Sequence, residues 1–125
     1  DILILIWNIL PRPHDKVHIA LIPTEVGWQA PAFLKFGAWN ECPAPEEHVA
    51  LMRFWSERFG AEVVGIARDV VEMMVRRPPS TRGDALRLAS QQYLYCEDIV
   101  NQGTESSERL AATLLGATAW FFWCD

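Results

Sequence analysis

In the middle of the chain the spacing of hydrophobic residues changes from that of a helix to that of strands, and this change limits the folds that the chain can adopt. Residues 45–59 place large apolar side chains at helical spacing on one face, with charged side chains elsewhere. Residues 62–67 and 70–75 are short runs rich in valine, which are typical of strands. A helix followed at once by a hairpin predicts a helix that packs on a sheet. The apolar stripe of the helix consists of Leu51, Met52, Trp55 and Phe59.

Glycines and capping residues set the ends of the predicted helices. Gly60 ends the first helix in the position where a left-handed residue is common. A second helix is predicted over residues 82–95, with Thr81 as its N-cap. A third is predicted over residues 105–115, with Thr104 as its cap. The chain therefore carries about three helices of ordinary length.

Three further apolar runs complete the expected sheet. Residues 2–10 are too few to cross a bilayer and are predicted as a strand within an N-terminal extension, residues 1–17. Residues 16–24 form a second strand, and residues 119–124, which are nearly all apolar, a central one. We expect an α+β fold with one mixed sheet and the helices packed mainly on one face, a two-layer sandwich. The whole chain, residues 1–125, is predicted to form a single domain.

Charge and cysteine usage narrow the classes of function. The chain has 11 basic and 16 acidic residues, a formal charge of −5, whereas nucleic-acid binding needs a basic face. Cys42, Cys96 and Cys124 are far apart and form no C-x-x-C pair. We therefore expect reduced thiols in a cytoplasmic protein, with no cofactor and with neither a membrane nor a nucleic acid as partner. Six tryptophans favour an aromatic groove or interface.

Three short motifs make the chain similar to a known family. They are Trp39, Asn40, Cys42 and Pro43 (W-N-x-C-P), then Tyr93, Tyr95, Cys96 and Asp98 (Y-x-Y-C-x-D) followed by Gln102 and Gly103, and finally an aromatic strand that ends in Asp125. With these motifs, residues 18–125 resemble the bacterial domain of unknown function 4253. The family usually has proline at the position of Glu97 and tryptophan at the position of Cys124. The resemblance implies a fold and no established activity.

One enzymatic alternative is a thiol site made of Cys96, His48 and Asp98. Cys96 would be the nucleophile and His48 the base, with Asp98 or Asn40 orienting the imidazole. However, Cys96 lies at the C-terminal end of a predicted helix beside Glu97 and Asp98. The helix dipole and both carboxylates raise the pKa of a thiol in that place. A buried cysteine at a helix end is the simpler interpretation.

A metal site built from Cys42, His48, Cys96 and Asp98 is the second alternative. Cys42 and His48 are six residues apart across the start of the first helix. The set has no recognised ligand spacing, so no metal is predicted, although zinc would be the favoured ion for such ligands.

The sequence favours a small interaction or ligand-binding module over an enzyme. Its expected surface combines the loop of residues 39–43 with the connection of residues 93–103, where Gly103 is expected to need a positive φ. The partner would be another protein or a small ligand, in analogy with immunity or accessory proteins of bacterial toxin systems, whose acidic groups meet a basic effector. The alternative is a hydrolase that uses Cys96, His48 and Asp98 or a metal. The expected binding residues are Trp39, Asn40, Cys42, Tyr93, Tyr95, Cys96, Asp98, Gln102 and Gly103.

Overall fold

The structure, a computed structural model, describes residues 3–6 and 18–124. Its strands are β1 (Leu3–Ile6), β2 (Ile19–Ile22), β3 (Ala61–Ile66), β4 (Val70–Val75) and β5 (Ala119–Trp123). Its α-helices are α1 (Ala30–Phe33), α2 (Pro45–Phe59), α3 (Arg82–Tyr95) and α4 (Ser107–Leu114). A 3₁₀ turn, Gly27–Gln29, precedes α1, and a π-helical turn, Val100–Thr104, precedes α4. The predicted α+β class is confirmed.

The arrangement of the strands differs from the predicted single mixed sheet. In the described residues β1 and β2 form one antiparallel pair, and β3, β4 and β5 form a second sheet in that order. The prediction of one mixed sheet is therefore wrong, because every described pairing is antiparallel. The prediction that β5 is central is also wrong, since β5 pairs with β4 alone among the described strands. Trp120 and Phe122 of β5 are buried on the face that packs against Trp55, whereas Phe121 on the other face is 39% exposed.

The helix signals in the sequence place α2 and α3 correctly. Gly60 ends α2 in the left-handed conformation, with φ of 60°. The Thr81 hydroxyl accepts a hydrogen bond from the Asp84 backbone N–H at 3.2 Å, as expected of an N-cap. Both residues act on the adjacent helical turn, so these helix ends can be predicted without knowledge of the tertiary packing.

The turn before α4 is where the sequence misleads. The wide turn closes with a 2.8 Å hydrogen bond from the Glu105 N–H to the Val100 carbonyl, and Glu105 takes the positive φ of 71°. Gly103 lies inside this turn, so the positive φ expected for Gly103 is wrong. Ser106, rather than Thr104, caps α4 and accepts a hydrogen bond from the Arg109 N–H.

Aromatic side chains join α2 and α3 to one face of the three-stranded sheet. The Trp55 ring, in α2, is fully buried and stacks on Phe122 of β5, with 5.6 Å between centroids. The Tyr95 ring, at the end of α3, meets the same Phe122 ring edge-on at 5.1 Å. Buried aromatic pairs of this kind add to the area they remove from water. Trp55 and Tyr95 therefore fix the C-terminal end of α3 beside β5.

The chain before β2 is described only in part. β1 falls within the strand predicted for residues 2–10, and residues 7–17 lie outside the described residues. Among the described helices, none has the length and apolar character needed to cross a bilayer.

Candidate binding cleft

A disulfide between Cys42 and Cys124 joins the loop before α2 to the end of β5. The two Cα atoms are 5.2 Å apart, and both residues are 7% exposed. The expectation of reduced thiols is therefore wrong for this pair. Three cysteines allow three pairings, and the spacing of 82 residues between these two gives no sign that β5 returns to the loop. Cys96 keeps a free thiol.

Two hydrogen bonds attach the motif segments to consecutive residues at the end of β5. The Trp39 indole N–H donates to the Cys124 carbonyl at 3.4 Å. The Cys96 thiol donates to the Trp123 carbonyl at 2.7 Å. The loop of residues 39–43 and the end of α3 therefore become neighbours because both are tied to the same short stretch of β5.

The two segments enclose a cleft of about 520 Å³. This volume is within the range of small-molecule sites and is large enough for one side chain of a partner. The cleft is lined by Asn40, Glu41, Tyr93, Leu94, Tyr95, Cys96, Glu97, Asp98, Gln102, Trp123 and Cys124.

The charged side chains at the cleft are all acidic in the part of the chain that the structure describes. They are Glu41, Glu97 and Asp98. The Asp98 carboxylate accepts a hydrogen bond from the Gln102 amide at 3.1 Å, which orients it. Tyr93 and Trp123 are half-buried and add aromatic surface. Carboxylates beside aromatic rings are suited to a cationic group.

Glycine at position 103 allows Trp123 to lie close to the turn before α4. A Cβ on Gly103 would lie 3.1 Å from Cη2 of the Trp123 indole, which is tighter than ordinary packing. Gly103 does not line the cleft itself, and we infer that it positions Trp123, which does.

His48 lies below the cleft and is fully buried. Its Nδ1 is 2.7 Å from the Tyr95 hydroxyl, and its Nε2 is 3.5 Å from the Cys42 sulfur. Burial lowers the pKa of His48 to about 4, although a hydrogen bond with the Pro43 carbonyl and the charge of Glu47 act in the opposite direction. The imidazole is therefore neutral near pH 7.

The thiol site considered from the sequence is not assembled in residues 18–124. Both ring nitrogens of His48 face partners other than Cys96. Burial raises the pKa of the Cys96 thiol, and the Asp98 carboxylate raises it further. A thiol without a base at hydrogen-bonding distance and with a raised pKa is a poor nucleophile.

The structure brings together a different set of possible metal ligands from the set considered from the sequence. The ligand atoms of Cys42, His48 and Cys124 all lie within 4.8 Å of one another, and all three residues are buried. Cys96 and Asp98, which completed the set considered from the sequence, lie at the cleft instead. Cys124 was missed because its proximity to the other two depends on the pairing of β4 with β5.

Trp39 and Cys42, which were also predicted to bind, do not line the cleft. Trp39 lies in a neighbouring depression that also contains Arg68 and Asp69. Cys42 is buried in the disulfide rather than at the cleft. The cleft residues that the sequence did not single out for binding are Glu41, Leu94, Glu97, Trp123 and Cys124. The terminal aromatic motif was the available signal for the last two, and the neighbours of predicted motif residues supplied the other three.

A family model matches most of the chain. No curated protein and no solved structure matches the chain. Domain of unknown function (DUF4253) matches residues 18–125, which include both segments of the cleft. The chain therefore belongs to the DUF4253 family.

Proposed function

We propose that this domain is a binding module whose cleft holds a cationic side chain, arginine or lysine, of a protein partner. The observation that carries the proposal is the meeting of Asn40 and Glu41 with the end of α3 around one cleft. Most of the binding residues expected from the sequence line the cleft, and this agreement between independent observations supports the proposal.

Charge supports a basic partner. Glu41 and Glu97 are exposed at the cleft, and Asp98 is half-buried beside them. Three carboxylates with no basic lining residue among those described favour a cation, and a guanidinium can bond to carboxylates in two places at once. The chain as a whole carries a formal charge of −5, which steers a basic partner toward it.

Aromatic surface supports a side chain with an apolar stem. Tyr93, Leu94 and Trp123 line the cleft together with the carboxylates. Arginine and lysine bury their methylene groups along such surfaces while the charged end reaches polar partners. An inorganic cation would gain nothing from these three residues.

The biological setting belongs to the same proposal. We infer a bacterial domain that acts as an immunity-like or accessory protein, with a basic effector as its partner. Action in the cytoplasm is part of the proposal, but the Cys42–Cys124 disulfide is more typical of an oxidising compartment. Acid quenching of intact cells, followed by maleimide labelling in denaturant, distinguishes the two, since the cytoplasmic assignment requires all three cysteines to be free thiols.

The hydrolase alternative lacks a comparable observation. Cys96 donates to the Trp123 carbonyl, and His48 pairs with Cys42 and Tyr95. No second function is therefore proposed.

A pair of peptides tests the proposed function. Acetyl-Gly-Arg-Gly-amide and its citrulline counterpart have nearly the same shape, but only the first is charged. Calorimetric titration at low salt should show binding of the arginine peptide and at least about tenfold weaker binding of the citrulline peptide, as expected for loss of a charge-assisted contact. Equal affinities would contradict the proposal.

Charge-removing variants give the matched controls. Asp98→Asn together with Glu97→Gln should weaken the arginine peptide by at least about tenfold, since two charges leave the cleft without a change of shape. Glu25→Gln removes an exposed carboxylate that does not line the cleft and should leave the affinity within about twofold. If Glu25→Gln weakens binding as much as a cleft variant, the effect is one of net charge and the cleft is not the site.

A further inference from the structure

Three side chains of the metal-ligand type converge beside the cleft, and one of them, Cys124, also lines it. Cys42 comes from the loop before α2, His48 from the first turn of α2, and Cys124 from the residue that follows β5. They are 7%, 0% and 7% exposed, respectively, and their ligand atoms lie within 4.8 Å of one another. Three separate segments therefore bring one imidazole and two sulfurs to a single buried point.

The imidazole is held in a fixed orientation. Its Nδ1 lies 2.7 Å from the Tyr95 hydroxyl, and Tyr95 itself is 7% exposed and packed against Phe122. When Nδ1 carries the proton and donates to Tyr95, the lone pair of Nε2 points toward the Cys42 sulfur, 3.5 Å away. Metal-binding histidines are commonly oriented by such a bond from the second ring nitrogen.

Glycine at position 37 lets the backbone pack closely against the imidazole. A Cβ on Gly37 would lie 2.7 Å from His48 Nε2, so any larger residue would press on the nitrogen that faces the sulfurs. In a tetrahedral zinc site the ligand atoms are roughly 3.5–4 Å apart, since Zn–S and Zn–N bonds are about 2.3 and 2.0 Å long. The separation of Cys42 Sγ and His48 Nε2 already matches this spacing.

We propose that the reduced chain binds one Zn²⁺ ion through Cys42, His48 and Cys124, so that the disulfide and the metal ion are alternative states of one site. The proposal does not depend on what the cleft binds. Two thiolates and one neutral imidazole are ligands that zinc favours, and together they neutralise its charge. Three protein ligands leave the fourth position to water or to another group.

The disulfide state is converted into the zinc-bound state by reduction followed by metal binding. A dithiol reductant transfers two electrons to the Cys42–Cys124 bond, becomes a disulfide itself, and leaves two protein thiols. When Zn²⁺ binds, each thiol releases one proton to solvent and its sulfur becomes a ligand, while His48 stays neutral. Reoxidation by a disulfide reagent reverses both steps and expels the ion.

Cobalt is the spectroscopic probe for this site. The protein is reduced with a water-soluble phosphine, freed of it without air, and titrated with Co²⁺. We expect one equivalent to bind with an intense near-ultraviolet sulfur-to-cobalt band, and one equivalent of Zn²⁺ to remove that band. The oxidised protein should give no such band. Absence of the band in the reduced protein would overturn the proposal.

Single variants identify the ligands. Cys42→Ser, Cys124→Ser and His48→Gln should each weaken zinc at least about tenfold in competition with a chromophoric chelator. Cys96→Ser is the matched control, because it removes the remaining cysteine, and it should leave both the spectrum and the affinity unchanged. Unchanged affinity in His48→Gln, or loss of binding in Cys96→Ser, would show that the site is not the one proposed.

Circular dichroism tests the zinc proposal in the case that reduction unfolds the chain. In that case addition of Zn²⁺ should restore the near-ultraviolet signal of the buried tryptophans, since metal binding is then coupled to folding. A reduced chain that stays unfolded with excess Zn²⁺ would also overturn the proposal.

Discussion

Gly37 controls how closely the loop before α2 approaches His48. Its φ is 110°, a region that side chains with a Cβ rarely adopt. A Cβ at this position would lie 2.2 Å from the Pro43 carbonyl oxygen and 2.7 Å from His48 Nε2. The first of these atoms belongs to the backbone, so the loop could not yield by rotating a side chain. The contact of Gly37 with His48 is not visible in the sequence and required the three-dimensional structure.

Replacement of Gly37 tests this close approach. Gly37→Ala should lower the free energy of unfolding by at least about 2 kcal/mol, since both strain and a backbone clash oppose it. Gly116→Ala is the control, because Gly116 has φ of 70° but nothing within 4 Å of the added Cβ. It should cost only about 1 kcal/mol. Equal losses for the two variants in urea unfolding would contradict the account of Gly37.

The boundaries of helices were predicted accurately where a single residue acts on the neighbouring helical turn. The bounds of α2 and α3 follow from Gly60 and Thr81, which act within one helical turn. The start of α4 could not be predicted in the same way. It depends on a π-helical turn whose closing bond, from Glu105 to Val100, has no distinctive residue pattern. The pairing of β5 with β4 alone among the described strands was missed because an apolar run was interpreted as buried on both faces, whereas Phe121 is exposed.

Cys96 connects the end of α3 to β5 and remains a neutral thiol. It is 6% exposed, and its sulfur donates to the Trp123 carbonyl. In the oxidised protein it is the remaining thiol, so labelling reports on it alone. The helix end and the sheet are therefore joined through a group whose reactivity can be measured.

Alkylation as a function of pH tests this connection. Burial raises the pKa of the Cys96 thiol, so at any given pH less thiolate is present than in the unfolded chain. We expect iodoacetamide at pH 8 to react at least about tenfold more slowly with the folded protein than with the chain in guanidinium. The alkylation rate of the folded protein should keep rising with pH after that of the unfolded chain has levelled off, and the stability that the neutral thiol contributes should be lost in the same alkaline range. A folded protein that reacts as fast as the unfolded chain, or whose rate levels off at the same pH as that of the unfolded chain, would contradict this assignment.

At the scale of the whole molecule, the Cys42–Cys124 disulfide links two regions that are 82 residues apart. The sequence motifs marked residues 39–43 and 93–103 as candidate segments, but their meeting depends on the antiparallel pairing of β4 with β5. That pairing is set by long-range packing, for example of Trp55 on Phe122, which no local pattern reports. The segments of the site were therefore predictable, whereas their assembly and the disulfide were not.

Reduction of the disulfide should destabilise the chain by about 4 kcal/mol, since the closed loop is long and its unfolded form is restricted. The measurement is urea unfolding with and without a phosphine reductant, with a chelator present to exclude metal ions. The double variant Cys42→Ser with Cys124→Ser is the control, because it has no disulfide to reduce, and the phosphine should leave its unfolding midpoint unchanged. Identical unfolding midpoints for reduced and oxidised protein would show that the crosslink does not stabilise the fold.

We propose that the loop of residues 39–43 and the end of α3 act together as one cation-binding cleft. Nitrogen-15 NMR with the acetyl-Gly-Arg-Gly-amide peptide is the sharpest test of this proposal, because backbone amides report separately. We expect Asn40, Glu41, residues 94–98 and Gln102 to shift together, with one dissociation constant, and the citrulline peptide to leave them nearly unchanged. Shifts confined to one of the two segments, or spread over acidic residues outside the cleft such as Glu25 and Glu62, would contradict it.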